Sequence, residues 1–358
     1  MTGTLVLSPN RLREVVTSIF EFHGCAPGEA NTVARHLLDA DLYGHPSHGC
    51  GLVPLYIANL IKGEVLPNQT LQRLPPRQGF LLFDGGNGFG QSLGMQLVAQ
   101  VLAHSKDAAI AVFGLRNAHH LGRIGDYGER FAAADFASVM FVNTVSRPIV
   151  APFGGAEARM GTNPVCISVP RRNAPPIVLD FATSAIAVGK CRVALEKGEP
   201  IPPGMAVNAA GEPTTDPGVL YASPQGALRP MGGYKGSGLN LMSELFAACI
   251  GGLTMSDARP QSGSVINSLV GMCFRTAQLP DALEHIESVV RYFLATRPAR
   301  EDGPVKLPGA TEREAYMQRR TAGVPMARST WAAIAELARG ARVPEAEIHA
   351  VAVAGHDR

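Results

Sequence analysis

The chain has 358 residues, a hydrophobic fraction of 46%, a charged fraction of 17% and a formal net charge of +2. Single cores stop growing at about 250–300 residues, so this length predicts two ordered domains and excludes a disordered chain. The near-zero charge, with no Lys/Arg run interleaved with aromatics, excludes nucleic acid as a partner. No apolar stretch reaches the ~18 residues of a membrane span and no secretory leader opens the chain, so a cytoplasmic protein without a membrane partner is expected.

Ser8 and Pro9 read as an N-cap and first helical residue, and Leu12, Val15, Val16, Ile19 and Phe20 recur at helical spacing before Gly24. A second helix is predicted from about Pro27 through Leu42 to a left-handed Gly44, followed by a tight loop, Gly44-His45-Pro46-Ser47-His48-Gly49. A third helix covers about Leu52 to Lys62. From Pro67 the texture turns to short β-branched or aromatic runs, which predict strands at Gly79–Phe83, Ala109–Leu115, Ala137–Val142, Val165–Val169 and Ile177–Asp180. Helices at about Gln91–Ala103 and Ile124–Ala134 alternate with them, the second with Glu129 and Arg130 on its outer side, which points to an α/β sheet domain.

Residues 200–230 are dense in Pro, Gly, Asn and Thr yet keep apolar anchors such as Met205, Val207 and Leu220, as an ordered loop would. Leu239–Ile250 is apolar around most of its surface and predicts a buried helix. Asp281–Ala295, Glu312–Ala322 and Thr330–Leu337 return to helical texture. The expected organisation is a helical domain of residues 1–75 plus about 290–358, and a mixed α/β domain of residues 76–290.

Six scattered cysteines, Cys25, Cys50, Cys166, Cys191, Cys249 and Cys273, include no C-x-x-C pair and read as reduced thiols. Cys50 stands beside His48, but nothing near it in sequence would activate a thiolate.

Chemistry has to be found by clustering. Gly85-Gly86-Asn87-Gly88-Phe89-Gly90-Gln91 misses the third glycine of the dinucleotide fingerprint, and P-loop, zinc-helix and nucleophile-elbow motifs are absent. What remains is histidine. His45 and His48 share one loop with Ser47, while His119 and His120 precede Gly122 where a strand passes into a helix. Imidazole titrates nearest neutrality, so either loop could move a proton to or from a carbonyl oxygen, although a loop histidine can equally be satisfied by backbone. The loop offers no Asp, Glu or Cys at ligand spacing, so no metal is expected. Gly161-Thr162-Asn163-Pro164, Asp180 ahead of Thr183-Ser184, and Gly232-Gly233-Tyr234-Lys235-Gly236 suit an anionic ligand, the last as the approach to a helix start.

Taken in order, Gly44-His45-Pro46-Ser47-His48-Gly49, His120-Leu121-Gly122, Gly161-Thr162-Asn163-Pro164, Asp180-Phe181-Ala182-Thr183-Ser184, Gly189-Lys190, Pro213-Thr214-Thr215-Asp216-Pro217 and Lys235-Gly236 resemble the type-2 malate/L-lactate dehydrogenase family, over nearly the whole chain. The likeness is greatest to its bacterial hydroxycarboxylate dehydrogenase branch. The resemblance implies an α/β fold with a non-Rossmann, mixed-sheet NAD(P)-binding domain of the L-sulfolactate dehydrogenase type, a helical domain from both chain ends, and a homodimer. It implies NAD or NADP as cofactor, in reduced form the hydride donor, and a small 2-oxo/2-hydroxy acid as substrate.

By matching position, the resemblance makes His48 the acid/base, Ser47 its partner and His120 a second candidate, with Thr162 on the substrate carboxylate. His120, Gly122, Arg123 and Ile124, then Val178, Leu179, Asp180, Phe181, Ala182, Thr183 and Ser184, then Tyr234 and Lys235, then Pro308 and Gly309 would contact the dinucleotide. Two departures stand out. Many members carry Arg where this chain has Leu52, so Arg123 is the expected substitute for the carboxylate fork. The cyclic-imine carboxylate reductases of the family carry Asp where this chain has Lys190, which argues against that alternative activity.

Overall fold

The computed structural model of the protein describes residues 3–75, 79–106, 108–257, 264–299 and 303–352. The chain opens with β1 (Thr4–Leu7), α1 (Pro9–Phe22), α2 (Pro27–Leu42) and, after two short 3-10 turns at Pro46–His48 and Cys50–Leu52, α3 (Val53–Ile61). The middle holds β2 (Gln72–Arg73), β3 (Phe80–Asp84), α4 (Gly90–His104), β4 (Ile110–His119), α5 (Gly125–Ala133), β5 (Phe136–Val145), β6 (Val165–Val169), β7 (Ile177–Phe181) and α6 (Val188–Lys197). Then come β8 (Ala206–Val207), β9 (Pro213–Thr214), β10 (Ala227–Leu228), α7 (Tyr234–Cys249), β11 (Ile266–Arg275) and α8 (Ala282–Leu294). The chain closes with α9 (Ala310–Ala322), β12 (Val324–Ala327), α10 (Arg328–Gly340) and α11 (Glu345–His349).

Both chain ends share one core. The apolar stripe of α1 (Leu12, Val15, Ile19) meets Val33 and Leu37 of α2, Ile57 of α3 and Trp331 and Ile334 of α10. The register of β1 against β12, Leu7 opposite Val324, ties the two ends together. Ser8 does occupy the N-cap of α1 with Pro9 behind it, but its side chain makes no capping hydrogen bond. Gly44, at φ 88°, turns the chain out of α2 as its missing Cβ allows.

Among the described residues the main sheet has seven strands in the order β2-β3-β4-β11-β5-β6-β7. Only the β3–β4 pair is parallel, so the sheet is mixed and its topology is not that of a Rossmann fold. α4 and α5 cover one face, where Leu93, Leu97 and Phe131 pack on Phe113, Met140 and Val142. The segment 200–230 folds back as a small sheet, β10-β8-β9, over its own core of Val150, Cys191, Ile201, Ala206, Leu220 and Leu228.

Three expectations are corrected. The central strand β11 has no counterpart among the predicted strands. Glu129 of α5 is turned inward onto Arg123 rather than outward. Most informative is α7, expected to be apolar and buried: its buried residues include Asn240 (2% exposed) and Glu244 (6%), while Leu241 (50%) and Leu245 (47%) face out. Phe246 of α7 meets Phe141 of β5 at a ring separation of 5.0 Å, so α7 lies on the face opposite α4 and α5. Away from α7 none of the described residues covers that face. Ile110, Phe274, Met272, Ile167 and Leu179 are exposed, and their register places them all on one side of the sheet.

Candidate active site

β3, β4, β5 and β7 all end at the same edge of the sheet, because β11 and β6 run back between them and β3 is parallel to β4. His119 and His120 sit there, at the end of β4. The glycine run that precedes α4 explains how. Asn87 N donates to Asn117 O and His119 N to Gly88 O, while a Cβ added at Gly90 would stand 2.2 Å from His119 O. These glycines therefore let the start of α4 approach the histidine strand, rather than cradle a phosphate.

The Ser47-His48 turn meets this edge from the helical side. It is seated on Asp41, whose carboxylate accepts Cys50 N–H at 2.7 Å and stands where a Cβ on Gly49 would be, 2.0 Å away. Burial raises the Asp41 pKa to about 7 and pushes the Cys50 thiol well above its ordinary value, so Cys50 is a packed thiol and not a nucleophile. On its other side Ser47 abuts α6: a Cβ on Gly189 would lie 2.7 Å from Ser47 Cβ.

His48 and His120 stack, with ring centroids 5.2 Å apart and planes inclined by 17°. Burial above all, with His45, His36 and Arg123 close by as smaller causes, lowers the His48 pKa from 6.5 to about 4. Burial and the neighbouring imidazoles of His48, His119 and His36 drive His120 well below 6.5. Both rings are therefore uncharged at neutral pH. His48 Nδ1 is buried without a partner, whereas His120 Nδ1 lies 2.5 Å from Tyr56 Oη, which accepts from Gln91 Nε2 at 2.8 Å. His119 points elsewhere: Asn59 Nδ2 donates to its Nε2 at 3.0 Å, and burial lowers its pKa to about 4.

A cavity of about 390 Å³ opens between His45 of the Ser47-His48 loop, Arg123 of the second histidine loop and β7, lined also by Val178, Leu179, Asp180, Pro308, Gly309 and Glu312 among others, with His48 and His120 themselves set back from its wall. Gly309, at φ 82°, comes so close to β7 that a Cβ would be 2.9 Å from Val178 O. Asp180 accepts Gly125 N–H at 2.7 Å, fixing the start of α5 against β7. Arg123 is buried, forks onto Glu129 at 2.6 and 3.3 Å and lies 3.8 Å over the Tyr43 ring, which leaves its Nε without a partner. The fork expected to be free for a substrate carboxylate is thus already engaged by Glu129. Gly122 N-terminal to Arg123 is equally constrained, since a Cβ there would meet His36 Nε2 at 2.6 Å. An apolar strand wall, a glycine-built turn, an orphaned guanidinium nitrogen and nearby carboxylates form a site whose residues fit a dinucleotide.

Thr162 lies at the same edge. Its carbonyl accepts both Thr183 N–H and Thr183 Oγ1–H at 2.9 Å, which joins the Thr162 turn to the end of β7. Asn163, left-handed at φ 32°, anchors the turn from behind. Its Oδ1 accepts Thr144 N–H, and its Nδ2 donates to Asn240 and Glu244 of α7. Asn267 extends this network to the histidine loop by accepting Leu121 N–H at 2.8 Å. Tyr234 and Lys235 do not line the cavity; they start α7, and the chain just before them, at Met231, donates to Thr183 O.

Sequence reading missed Tyr56, Gln91, Asp41, His36 and Glu129. The one signal was Gln91, which directly follows the glycine run.

Known proteins resemble this chain in sequence and in fold. The profile of the Malate/L-lactate dehydrogenase family matches residues 7–335. The chain is 36% identical to hydroxycarboxylate dehydrogenase B of Escherichia coli (strain K12) over 344 residues, 95% of each chain. It is 39% identical to an L-lactate dehydrogenase of Cupriavidus necator over 289 residues, covering 79% of this chain and 83% of the relative. The sulfolactate dehydrogenase of Methanocaldococcus jannaschii superposes with a TM-score of 0.82 at 28% identity, covering 94% of this chain and 97% of that one. With a family match along most of its length and a relative aligned from end to end, the chain belongs to the malate/L-lactate dehydrogenase family.

Proposed function

We propose that the protein is a nicotinamide-dependent dehydrogenase that interconverts a small 2-oxo acid and its L-2-hydroxy acid, with His48 as acid/base. The observation that carries this reading is the stacked, uncharged pair His48 and His120 at the strand ends, whose loop neighbours His45 and Arg123 line a cavity suited to a dinucleotide. The names of its relatives support the reaction class. NADH or NADPH bound in the cavity supplies the hydride for the 2-carbon. Residues proposed to hold it are His120 and Gly122 to Ile124, Val178 to Ser184, and Pro308 and Gly309, with Tyr234 and Lys235 reaching it from the start of α7.

The chain's own groups manage proton and charge. His48 is neutral near pH 7, so in the oxidative direction it accepts the hydroxyl proton of the 2-hydroxy acid. In the reductive direction it must first gain a proton, which an adjacent substrate carboxylate favours by stabilising the imidazolium. Ser47 is its orienting partner, and the Thr162 hydroxyl is proposed to hold the carboxylate.

A cation should share that task. Arg123, Lys190 and Arg319 all lower the His45 pKa, burial being the larger cause, so all three charges face this region. Arg123 is taken by Glu129, and Arg319 donates to Asp41 O. Lys190, one residue after the glycine that abuts Ser47, is exposed and has no carboxylate partner among the described residues. Lys190 is therefore the candidate for the carboxylate in place of Arg123.

The uncovered apolar side of the sheet supports pairing of two copies, as a homodimer, and no helix among the described residues is long and apolar enough to cross a membrane. A cytoplasmic setting fits that reading.

The test is a panel of 2-oxo acids with NADH and with NADPH. The expected result is acid-dependent loss of the reduced dinucleotide with equal formation of the 2-hydroxy acid. Faster loss with pyruvate plus methylamine than with pyruvate alone would assign imine reduction instead.

A further inference from the structure

Two imidazoles face each other in the site, and their hydrogen bonds differ in kind. Gln91 is fully buried in the first turn of α4, and its Nε2–H donates to Tyr56 Oη at 2.8 Å. A phenol carries a single proton. With Oη already accepting from Gln91, that proton is directed to the other neighbour, His120 Nδ1, 2.5 Å away. His120 Nδ1 is then an acceptor, and the ring keeps its own proton on Nε2. Gln91 Oε1, meanwhile, is buried without a partner.

A neutral imidazole so held offers a hydrogen bond but cannot take up a proton without a clash. A proton on Nδ1 would oppose the Tyr56 hydroxyl proton, which has nowhere to turn while the Gln91 N–H occupies its far side. Nor does the surrounding charge help a second proton: the titratable groups facing His120 are His48 from the Ser47-His48 turn, His36 from α2, Tyr56 from α3 and His119 beside it, with no carboxylate among them. His48 has no such constraint, because its Nδ1 has no partner to dictate its state.

We propose that Gln91 is a positioning residue that, acting through Tyr56, fixes His120 as a neutral hydrogen-bond donor and so leaves proton transfer to His48. This division of labour rests on the reading of the site as a 2-oxo acid dehydrogenase, in which a substrate carbonyl needs one polarising donor and one proton carrier. The orphaned Oε1 gives the arrangement a defined reverse state. Turning the amide over would let Oη donate to Oε1 and accept from His120 Nδ1–H, and His120 would then be free to titrate at Nε2.

The test reads the proton directly. Histidine-labelled ¹⁵N NMR of the ligand-free protein should show His120 protonated at Nε2 and bare at Nδ1 from pH 8 to 5, pH values chosen to bracket the ordinary imidazole range of about 6.5. Gln91→Glu places an acceptor-only carboxylate against Tyr56, so the chain should reverse: His120 becomes protonated at Nδ1 and its titration moves up in pH. Gln91→Leu removes the N–H that keeps the Tyr56 proton on Nδ1, so the parent tautomer should hold at pH 8 while His120 becomes able to take up a second proton as the pH falls.

In steady-state assays Gln91→Glu should lower kcat by roughly tenfold or more, with KM for the acid nearly unchanged, the mark of a lost transition-state donor. A parent protein with His120 protonated at Nδ1, or Gln91→Glu spectra identical to the parent's, would overturn the proposal. If the spectra behave as expected but no 2-oxo acid is reduced, the tautomer assignment stands and the functional reading is what fails.

Discussion

The two sides of the sheet edge are both built from buried polar groups, and they treat them in opposite ways. On the α7 side the network is closed but for Ser268 Oγ, which is buried without a partner. Asn163 bonds to Thr144, Asn240 and Glu244; Glu244 also accepts from Asn143 and Met255 N; Asn143 accepts Ser268 N–H; and Asn267 joins Asn143 O to Leu121 N. On the helical side, His48 Nδ1, His119 Nδ1, Gln91 Oε1 and Arg123 Nε are buried with no partner. A buried polar atom without a partner costs about 1–3 kcal/mol, so a cluster of them is tolerated only where something other than folding uses it. The α7-side network is scaffold that fixes the Thr162 turn and the histidine loop relative to each other; under the proposed function, the open side is where substrate and cofactor would complete the hydrogen bonding.

That contrast predicts stability losses on one side and kinetic losses on the other. The largest stability effect should come from Asn163→Ala, which leaves Thr144 N, Asn240 Oδ1 and Glu244 Oε1 short of partners and puts Ala in a left-handed conformation. A loss of about 3–5 kcal/mol is expected from urea unfolding. A loss below about 1 kcal/mol would show that water replaces the network and that the contrast is weaker than drawn.

Next, Lys190→Met should raise KM for a 2-oxo acid about 10- to 100-fold with kcat little changed, the scale of one hydrogen bond to a charged group. Arg123→Ala separates the two cations. If it raises KM for the acid more than for the dinucleotide, carboxylate anchoring returns to Arg123 despite its pairing with Glu129.

A further effect is on stability as a function of pH. His45, His48 and His119 titrate near 4 in the fold and near 6.5 when unfolded, burial being the main cause. The unfolded chain therefore binds their protons more readily, and stability present above pH 6.5 is lost as pH falls toward about 4. Asp41, raised by burial to about 7, works the other way between that pH and 3.8. Three histidines outweigh the one carboxylate, so the net expectation is a loss of stability as pH falls below 6.5, read from urea midpoints. His48→Ala should flatten that slope, and an unchanged slope would place the uncompensated titration elsewhere.

Much of this layout was legible in the residues, and the failures have physical reasons. α1 and α2 were plain because their apolar stripes face a single core. β11, by contrast, carries Asn267, Ser268 and Gly271 among its apolar residues, because the first two belong to the buried network and a Cβ on Gly271 would stand 2.6 Å from the Phe113 ring. α7 was read inside out for the same cause: its polar residues are wanted inside by Asn143 and Asn163, and its leucines are left outside on an uncovered face. The histidine loops stood out since imidazole beside glycine is chemically conspicuous. Tyr56 and Gln91 did not, because they reach His120 only where α3, α4 and β4 meet, across 64 and 35 residues of sequence separating the bonded pairs. The carboxylate role expected of Arg123 overlooked Glu129, six residues on, a partner that becomes visible only when α5 turns its charged side inward.

The most direct test of the account is His48→Ala, assayed for kcat in both directions and for unfolding free energy in the same preparations. An acid/base residue contributes about 10²- to 10⁴-fold, so kcat should fall by that factor while stability holds or rises, since an unpartnered buried nitrogen is removed. Near-normal turnover accompanied by a stability loss above about 2 kcal/mol would contradict it, for His48 would then be scaffold, and the open side of the sheet edge no different in kind from the closed one.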